Sequence, residues 1–297
     1  GEEWPAGTLW RDLATQMARA ERGAPPAVRR ARISFPLERR RLAWADWGLR
    51  AAAGIVIVAG ALSLWRVQSA DVPAPERIAF KSYETARGQQ ANFQLRDGSR
   101  VTLGVSSKLD VPSDYNDRSR DVYLQGQAYF QVVHDPSKPF IVRSGRGVTQ
   151  VLGTQFGVRA YDDESDVEIV VAEGRVAFSA QRDTMPPTEL RAGDLARLTP
   201  AGAVSVTQGI DANRLLSWTK GLLSFVNAPL PDVVRELGRW YDVDFVLGEG
   251  PLAARRLTTT LPQHASLEQL LAALEAALDI RTVRDGRTVT LYQENAR

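Results

Sequence analysis

The most apolar stretch of the sequence is AAAGIVIVAGALSLW at residues 51–65, which is uncharged and bounded by Arg50 and Arg66. A helix needs about 20 residues to cross a bilayer, so both arginines must lie at the interfaces with their side chains reaching outward. Residues 47–67 are therefore predicted to form a single transmembrane helix. A buried helix of a soluble domain and a signal peptide are the alternatives, and the fifty preceding residues argue against a signal peptide.

After this stretch the pattern changes to short alternating apolar runs separated by Gly, Asp, Asn and Pro, which is typical of strands and tight turns. The run NFQLRDGSRVTL at residues 92–103 places Asp97 and Gly98 between two alternating segments and predicts a two-residue hairpin turn. More such runs follow at close spacing. Residues 78–207 are therefore predicted to form an all-β domain, either a sandwich or a set of stacked strands.

Helical periodicity begins towards the C-terminus. Residues 231–241 place Val233, Val234, Leu237 and Trp240 on one apolar face, which predicts a helix that starts near residues 229–232.

A second helix is predicted from Ser266 to Leu278, because Ser266 is a good N-cap and Gln269 completes a capping-box pattern. Strands surround the two helices, and the last hairpin is predicted to turn at Asp285 and Gly286. The order βαββαββ over residues 212–293 predicts a small α+β domain.

Charge orients the predicted transmembrane helix. The net charge is only +2, but residues 1–50 contain ten arginines against six acidic residues. The positive-inside rule then places residues 1–46 in the cytoplasm and everything after residue 67 outside it, with residues 68–77 as an extended linker. A nucleic-acid patch is the alternative for these arginines, and their position directly before the apolar run favours the membrane.

The sequence offers little for catalysis or metal binding. It has no cysteine and only His134 and His264, so it lacks a disulfide framework, a thiolate metal site and a histidine-rich metal site. GRGVTQ at 145–150 lacks the third glycine of a dinucleotide loop. SWTK at 217–220 has no KTG partner of the kind found in penicillin-recognising enzymes. No enzyme activity and no cofactor are predicted.

Four ordered blocks in the β-rich part resemble the FecR family. They are LRDGSRVTLGVSSKLDVPSDY at 95–115, RDVYLQGQAYFQVVHDPSKPFIVRSG at 120–145, VTQVLGTQFGVRAY at 148–161 and VEIVVAEGRVAF at 167–178. Gln127 and Gln131 depart from the acidic residues usual in the family around AYF. The block residues are interpreted as structural, with the glycines at turns or close backbone approaches and the aromatic side chains in the core: Gly126, Gly153, Gly174, Phe130, Phe140, Phe156 and Tyr161.

The C-terminal part carries the family pattern W..G.L.F.N.PL..V...L.RWY from Trp218 to Tyr241. It is similar to the short secretin and TonB N-terminal type of domain that closes FecR proteins. The resemblance implies an inner-membrane, single-pass anti-sigma regulator with a cytoplasmic N-terminus and a periplasmic C-terminal part. The implied partners are a cytoplasmic extracytoplasmic-function sigma factor and the periplasmic signalling domain of an outer-membrane TonB-dependent transporter, in the control of iron or siderophore uptake. A regulatory protease is a further candidate partner, and no direct contact with nucleic acid is implied.

The family's cytoplasmic anti-sigma region is usually longer than residues 1–46, which look like its last part, shortened by truncation or by natural variation. TLWRDLATQMARA at 8–20 can form an amphipathic helix. Its apolar side supplies the candidate sigma-factor contacts: Leu9, Trp10, Leu13 and Met17.

Four apolar residues of the C-terminal part are candidate contacts for the transporter's signalling domain, through strand addition and an adjoining helix face: Leu223, Phe225, Leu230 and Leu237. The alternative is that they form the module's own core, which is favoured for Phe225 and Leu237. The alternative function for the whole chain is a membrane-anchored periplasmic binding or assembly module without a sigma partner, in which the residues before Trp44 would be dispensable.

Overall fold

The computed structural model describes residues 79–181, 186–248 and 251–293. The predicted cytoplasmic segment 1–46, with Leu9, Trp10, Leu13 and Met17, lies outside these ranges, as do the predicted transmembrane helix 47–67 and the linker 68–77. Within the described ranges, no helix is long and apolar enough to cross a membrane.

Residues 79–207 are rich in β-structure, as predicted. The strands described there are β1 (Phe80–Glu84), β2 (Ala91–Gln94), β3 (Arg100–Leu103), β4 (Lys108–Pro112), β5 (Arg120–Gln131), β6 (Phe140–Ser144), β7 (Gly147–Val151), β8 (Gln155–Ala160), β9 (Val167–Glu173), β10 (Arg175–Ala180), β11 (Thr188–Arg191), β12 (Leu195–Leu198) and β13 (Val204–Thr207). We call this part of the chain the β domain.

The long strand β5 belongs to two sheets. Its first half pairs with β4 and, in parallel, with β6, while its second half pairs with β3 and β8. One sheet has the order β11-β10-β7-β6-β5-β4-β1 and the other β2-β3-β5-β8-β9-β12-β13. Gly126 stands where β5 passes between them, with φ +96°, and a Cβ there would lie 2.4 Å from the Ser107 Oγ. Only glycine tolerates both conditions at this bend.

The two sheets enclose one hydrophobic core. Phe130, Phe140 and Phe156 are fully buried at its centre, with ring centroids 5.7 Å apart for Phe130 and Phe140 and 5.2 Å for Phe130 and Phe156. Tyr161 is also buried, so the predicted core assignment is confirmed for all four aromatic residues. Gly153 and Gly174 match their predicted roles as well, since a Cβ on Gly153 would lie 2.6 Å from the His134 Cα and Gly174 has φ +86°.

The first hairpin differs from its prediction. The Leu95 N–H donates to the Ser99 carbonyl, so the loop has three residues, of which only Gly98 has positive φ (+86°). Asp97 serves another purpose, because its Oδ2 lies 3.1 Å from the Nη1 of the buried Arg120. A two-residue turn of type I′ would require positive φ at both central residues, and here Asp97 does not have it and its carboxylate is used in an ion pair.

We call residues 212–293 the C-terminal module; its described residues form three helices and five strands. Their bounds are α1 (Ala212–Leu215), β14 (Leu222–Pro229), α2 (Leu230–Tyr241), β15 (Asp244–Leu247), β16 (Arg256–Pro262), α3 (Leu267–Leu278), β17 (Ile280–Asp285) and β18 (Thr288–Gln293), with 3₁₀ turns at Ser217–Lys220 and Pro251–Ala254. From β14 onwards the strands and α-helices follow the predicted order βαββαββ. They form an antiparallel pair β14-β16 and a three-stranded sheet β15-β18-β17.

The two long helices form where their local sequence directs. The predicted apolar face of α2 is buried at Val233, Val234, Leu237 and Trp240. Ser266 caps α3, and the side chains of Ser266 and Gln269 make both hydrogen bonds of the capping box.

The last hairpin turns one residue later than predicted. Asp285 pairs with Thr288, which leaves Gly286 and Arg287 as the loop, and Gly286 has φ +59°. The one-residue offset arises because Asp285 still pairs within the ladder.

Candidate partner-binding cleft

The four predicted contacts for a transporter signalling domain lie inside the C-terminal module. Leu223, Phe225, Leu230 and Leu237 are between 0% and 9% exposed and belong to one hydrophobic cluster. Their side chains therefore cannot meet a partner in this structure, and the core alternative describes them. Apolar side chains at strand and helix spacing look the same in a sequence whether they face a core or a partner.

The opposite face of β14 carries the exposed apolar side chains. Leu222 is 41% exposed and Val226 is 49% exposed, with Ser224 between them. These residues alternate with the buried Leu223 and Phe225, as the period of two in a strand requires. The sequence analysis pointed to this strand, but its accessible apolar side chains are those of Leu222 and Val226 on the other face.

One edge of β14 is unpaired among the described residues, since β16 is its one strand partner there. The Gln263 N–H donates to the Gly221 carbonyl at 2.9 Å, which marks a hydrogen-bonded pair of this ladder. Such pairs alternate along antiparallel strands. Ser224 and Thr260, three positions further, therefore form a non-hydrogen-bonded pair: the backbone N–H and C=O of Ser224 point away from β16.

A β-bulge ends this free edge. The register shifts between Phe225 and Ala228, and Asn227 in the bulge has φ +47°. Its N–H donates to the Thr258 Oγ1 at 2.8 Å, and its carbonyl accepts from the Arg256 Nε at 2.7 Å. At the other end, the Leu222 carbonyl already accepts from the Ser217 Oγ at 2.9 Å, so the stretch open to another strand is 223–226.

This edge borders a cleft of about 660 Å³ between the C-terminal module and the β domain. One wall is formed by β14 and the start of α2. Residues of β8 and β9, including Gly157 and Val170, form the other. Leu216 closes the floor, where its Cδ2 would lie 2.5 Å from a Cβ on Gly157, so a side chain at 157 would displace the end of the Leu216 side chain.

Most charges along the cleft are paired. Arg197 contacts Glu168 at 2.6 Å on the β-domain wall, and Arg235 contacts Asp232 at 3.1 Å on α2. With these side chains neutralising one another, the cleft offers a partner backbone hydrogen bonds and two apolar side chains rather than a strong field of one sign.

An ion-pair network joins the two walls at the inner end of the cleft. We use that term for four side chains: Arg159, Glu164, Glu236 and Arg239. Arg159 contacts Glu236 at 2.5 Å and Glu164 at 2.7 Å, and Arg239 contacts Glu164 at 2.7 Å. Their side chains are only 6–22% exposed. The Trp240 Nε1–H donates to the Glu236 Oε1 at 2.8 Å, which fixes that carboxylate within α2.

The network and its burial determine the protonation of Glu164 and of the neighbouring Tyr161. Burial alone would raise the pKa of Glu164, but hydrogen bonds and charge from Arg159 and Arg239 outweigh it and hold that pKa below its usual range. Burial, assisted by the charge of Glu236, raises the pKa of the Tyr161 hydroxyl. Tyr161 remains neutral, with its ring 3.7 Å from the Arg239 guanidinium carbon, a cation–π contact.

Sequence reasoning missed this network. Arg159 and Glu236 are 77 positions apart and stand in different parts of the fold, so no spacing rule connects them. The available signal was the RWY of the family pattern, which places Arg239 beside the apolar face of α2. In the described ranges, no group of three or more His, Cys, Asp or Glu side chains could hold a metal ion. The arrangement is suited to holding a polypeptide.

Comparisons with known proteins agree with this architecture. Residues 81–177 match the FecR protein family and residues 222–291 match the FecR C-terminal family. Two crystal structures of a candidate anti-sigma factor from Parabacteroides distasonis ATCC 8503 are similar in fold. Each has a TM-score of 0.66 and 25% sequence identity, and the match covers all of that chain and 72% or 73% of this one. No curated protein matches the chain. The two family matches in order, together with structural neighbours of this kind, show that the chain belongs to the FecR family of anti-sigma regulators.

Proposed function

We propose that this chain is a single-pass inner-membrane anti-sigma regulator with a cytoplasmic N-terminus and a periplasmic C-terminal part. In this role it relays a signal from the periplasmic signalling domain of an outer-membrane TonB-dependent transporter to a cytoplasmic extracytoplasmic-function sigma factor, in the control of iron or siderophore uptake. Family membership supports the sigma-factor partner. The apolar run at 51–65 and the arginines before it support the topology.

The observation that carries the transporter partner is the free edge of β14. An unpaired strand edge is a template for another strand, and proteins normally shield such edges unless they use them. Here the edge opens into a cleft and displays Leu222 and Val226. Strand addition obtains its affinity from main-chain hydrogen bonds and its specificity from alternate side chains. A small folded domain with an edge strand of its own, such as a signalling domain, fits these requirements.

The test blocks one edge of the β14-β16 ladder at a time. Ser224→Pro removes a backbone N–H that points into the cleft and leaves the ladder to β16 intact. Thr260→Pro is the matched control, because Thr260 is the register partner of Ser224 and its N–H points out of the opposite edge. Both substitutions place proline at a non-hydrogen-bonded position of the same strand pair.

Calorimetric titration with the signalling domains of the organism's TonB-dependent transporters measures the binding affinity of the wild type and of both variants. We expect Ser224→Pro to weaken the binding of the cognate domain by about tenfold or more, since it removes one main-chain bond and adds a steric block. Thr260→Pro should bind as the wild type does. Equal binding by all three proteins would place the receptor surface elsewhere.

A further inference from the structure

The ion-pair network is joined to a second set of contacts that leads away from the cleft. The Arg239 carbonyl accepts a hydrogen bond from the Gly88 N–H at 2.8 Å, and a Cβ on Gly88 would lie 3.2 Å from the Trp240 carbonyl oxygen. Beside this contact, the Arg87 Nη1 lies 2.6 Å from the Asp244 Oδ1. The C-terminal end of α2 and the start of β15 therefore hold the segment 85–90, which connects β1 to β2.

A neighbouring segment of the β domain is held in the same way. The ring of Tyr161 lies against the Arg239 guanidinium, and its hydroxyl donates to the Val105 carbonyl at 2.8 Å. The Val105 side chain is fully buried in the hydrophobic cluster of the C-terminal module. The two segments are also tied to each other, since the Thr85 N–H donates to the Ser107 carbonyl at 2.9 Å and the Ser106 N–H to the Ala86 carbonyl at 3.1 Å.

These two segments adjoin the same end of one strand pair. Residues 85–90 follow β1 directly, residues 105–107 precede β4 directly, and β1 pairs with β4 from Phe80↔Pro112 to Glu84↔Lys108. β1 is the outermost strand of its sheet, and four of its five residues are exposed. Elements with few buried contacts open at low free energy. The opening of β1 is therefore sensitive to small changes in the adjoining segment 85–90.

The buried charges of the network force α2 and the β8–β9 turn to move together. A buried ion that loses its partner costs several kcal/mol, so Glu236 and Arg239 cannot shift with α2 unless Arg159 and Glu164 follow. Arg159, Glu164 and Glu236 all line the cleft. A strand laid along β14 would therefore press on side chains whose displacement reaches α2 and the β8–β9 turn together.

We propose that Arg239 links the occupancy of the cleft to β1, the first strand after the predicted membrane linker, through Gly88 and Val105. This inference rests on the proposed function for the identity of what occupies the cleft, and it assigns the route by which that event reaches the strand that follows the predicted membrane linker in the chain. Arg239 is a positioning residue on this route: it contacts Glu164 and Tyr161 with its side chain and Gly88 with its carbonyl.

Hydrogen exchange of the full chain without any partner tests the link. Arg239→Gln should raise the exchange rates of the Gly88 amide and of the β1 amides by about tenfold or more, because the connection loses its buried charge. Arg235→Gln is the matched control, since Arg235 lies one turn away on the same helix. Among the described residues, its ion-pair partner is the exposed Asp232. It should leave β1 exchange within about twofold of the wild type.

A milder variant covers the case in which Arg239→Gln loosens the whole module, which would appear as faster exchange in β14 and β16 too. Arg87→Gln removes the partly exposed pair with Asp244 and a 3.5 Å hydrogen bond to the Val243 carbonyl, and it leaves the buried network in place. A rise confined to residues 80–90 in this variant supports the link. Unchanged β1 exchange in Arg87→Gln, or in an Arg239→Gln chain that is otherwise intact, overturns it.

The result is independent of the partner. A chain whose β14 edge binds no signalling domain would still show the coupling between Arg239 and β1, so the Ser224→Pro experiment and the exchange experiment can fail separately.

Discussion

At the scale of single residues, Glu164 is the most informative carboxylate of the network. Arg159 on β8 and Arg239 on α2 both hydrogen-bond it. Glu236 also contacts both guanidinium groups, and Asp163 contacts that of Arg239. The attraction by the two cations outweighs burial, which acts in the opposite direction, and the pKa of Glu164 is lowered. Glu164 therefore takes up a proton at a lower pH in the folded chain than in the unfolded chain.

This pKa shift has a defined sign for stability. A carboxylate with a depressed folded-state pKa stabilises the fold above its unfolded-state pKa, and the contribution disappears as pH falls through the folded value. We expect the free energy of unfolding to decrease below about pH 4.5, the ordinary value for Glu, and Glu164→Gln to make that decrease shallower. Urea midpoints measured between pH 3 and pH 7 give the slopes. Asp117→Asn, which removes a largely exposed carboxylate, is the control and should keep the wild-type slope.

At the scale of elements, β5 determines how the β domain is arranged. Because its two halves serve different sheets, the bend at Gly126 positions both at once. A side chain at this position meets the Ser107 Cα as well as its hydroxyl, at 2.9 Å and 2.4 Å, so a rotamer change cannot relieve the overlap.

Gly126→Ala should therefore be costly. We expect a loss of about 2 to 5 kcal/mol of unfolding free energy, combining positive φ with overpacking. Gly202→Ala is the control: Gly202 has nearly the same positive φ, +86°, but nothing lies within 4 Å of its added Cβ, so only about 1 kcal/mol should be lost. Chemical denaturation of both variants measures the difference, and equal losses would mean that β5 moves to accommodate the methyl group.

Local patterns predicted the elements whose information is local. The apolar face of α2 and the capping box of Ser266 and Gln269 are written within a few positions, and the structure reproduces both. The parallel pairing of β5 with β6 is not written in this way, because it depends on how a strand bends between two sheets. The hairpin loop at 96–98 also differed, because Asp97 pairs with Arg120 from a distant strand.

At the scale of the whole molecule, the candidate site comes from the meeting of two parts of the chain. Periodicity placed Leu223 and Phe225 on one face of a strand, but it could not tell that this face is the module's interior. The cleft needs residues from β8, β9 and β14 together, and the network joins positions separated by 75 or more residues. Such juxtapositions follow from tertiary packing and have no periodic signature in the sequence.

Topology is the whole-molecule prediction that the sequence makes directly. Alkaline phosphatase fused after Asp211 should be active in a Gram-negative host, because the arginines before residue 51 retain the N-terminus in the cytoplasm. Fusions near Gly23 should be inactive. The reverse pattern would contradict the proposed orientation, and activity at both positions would mean that residues 47–67 do not anchor the chain as proposed.

The bulge at Asn227 has a consequence for solubility. A two-stranded ladder with open edges could in principle stack with copies of itself into a growing fibre, as flat exposed edges do in cross-β assemblies. The register shift after Phe225 twists the strand and occupies backbone groups with Thr258 and Arg256. The remaining edge is long enough for one short docking strand. It is too short and irregular to template an extended fibril, so the chain can leave this strand edge unpaired without polymerising.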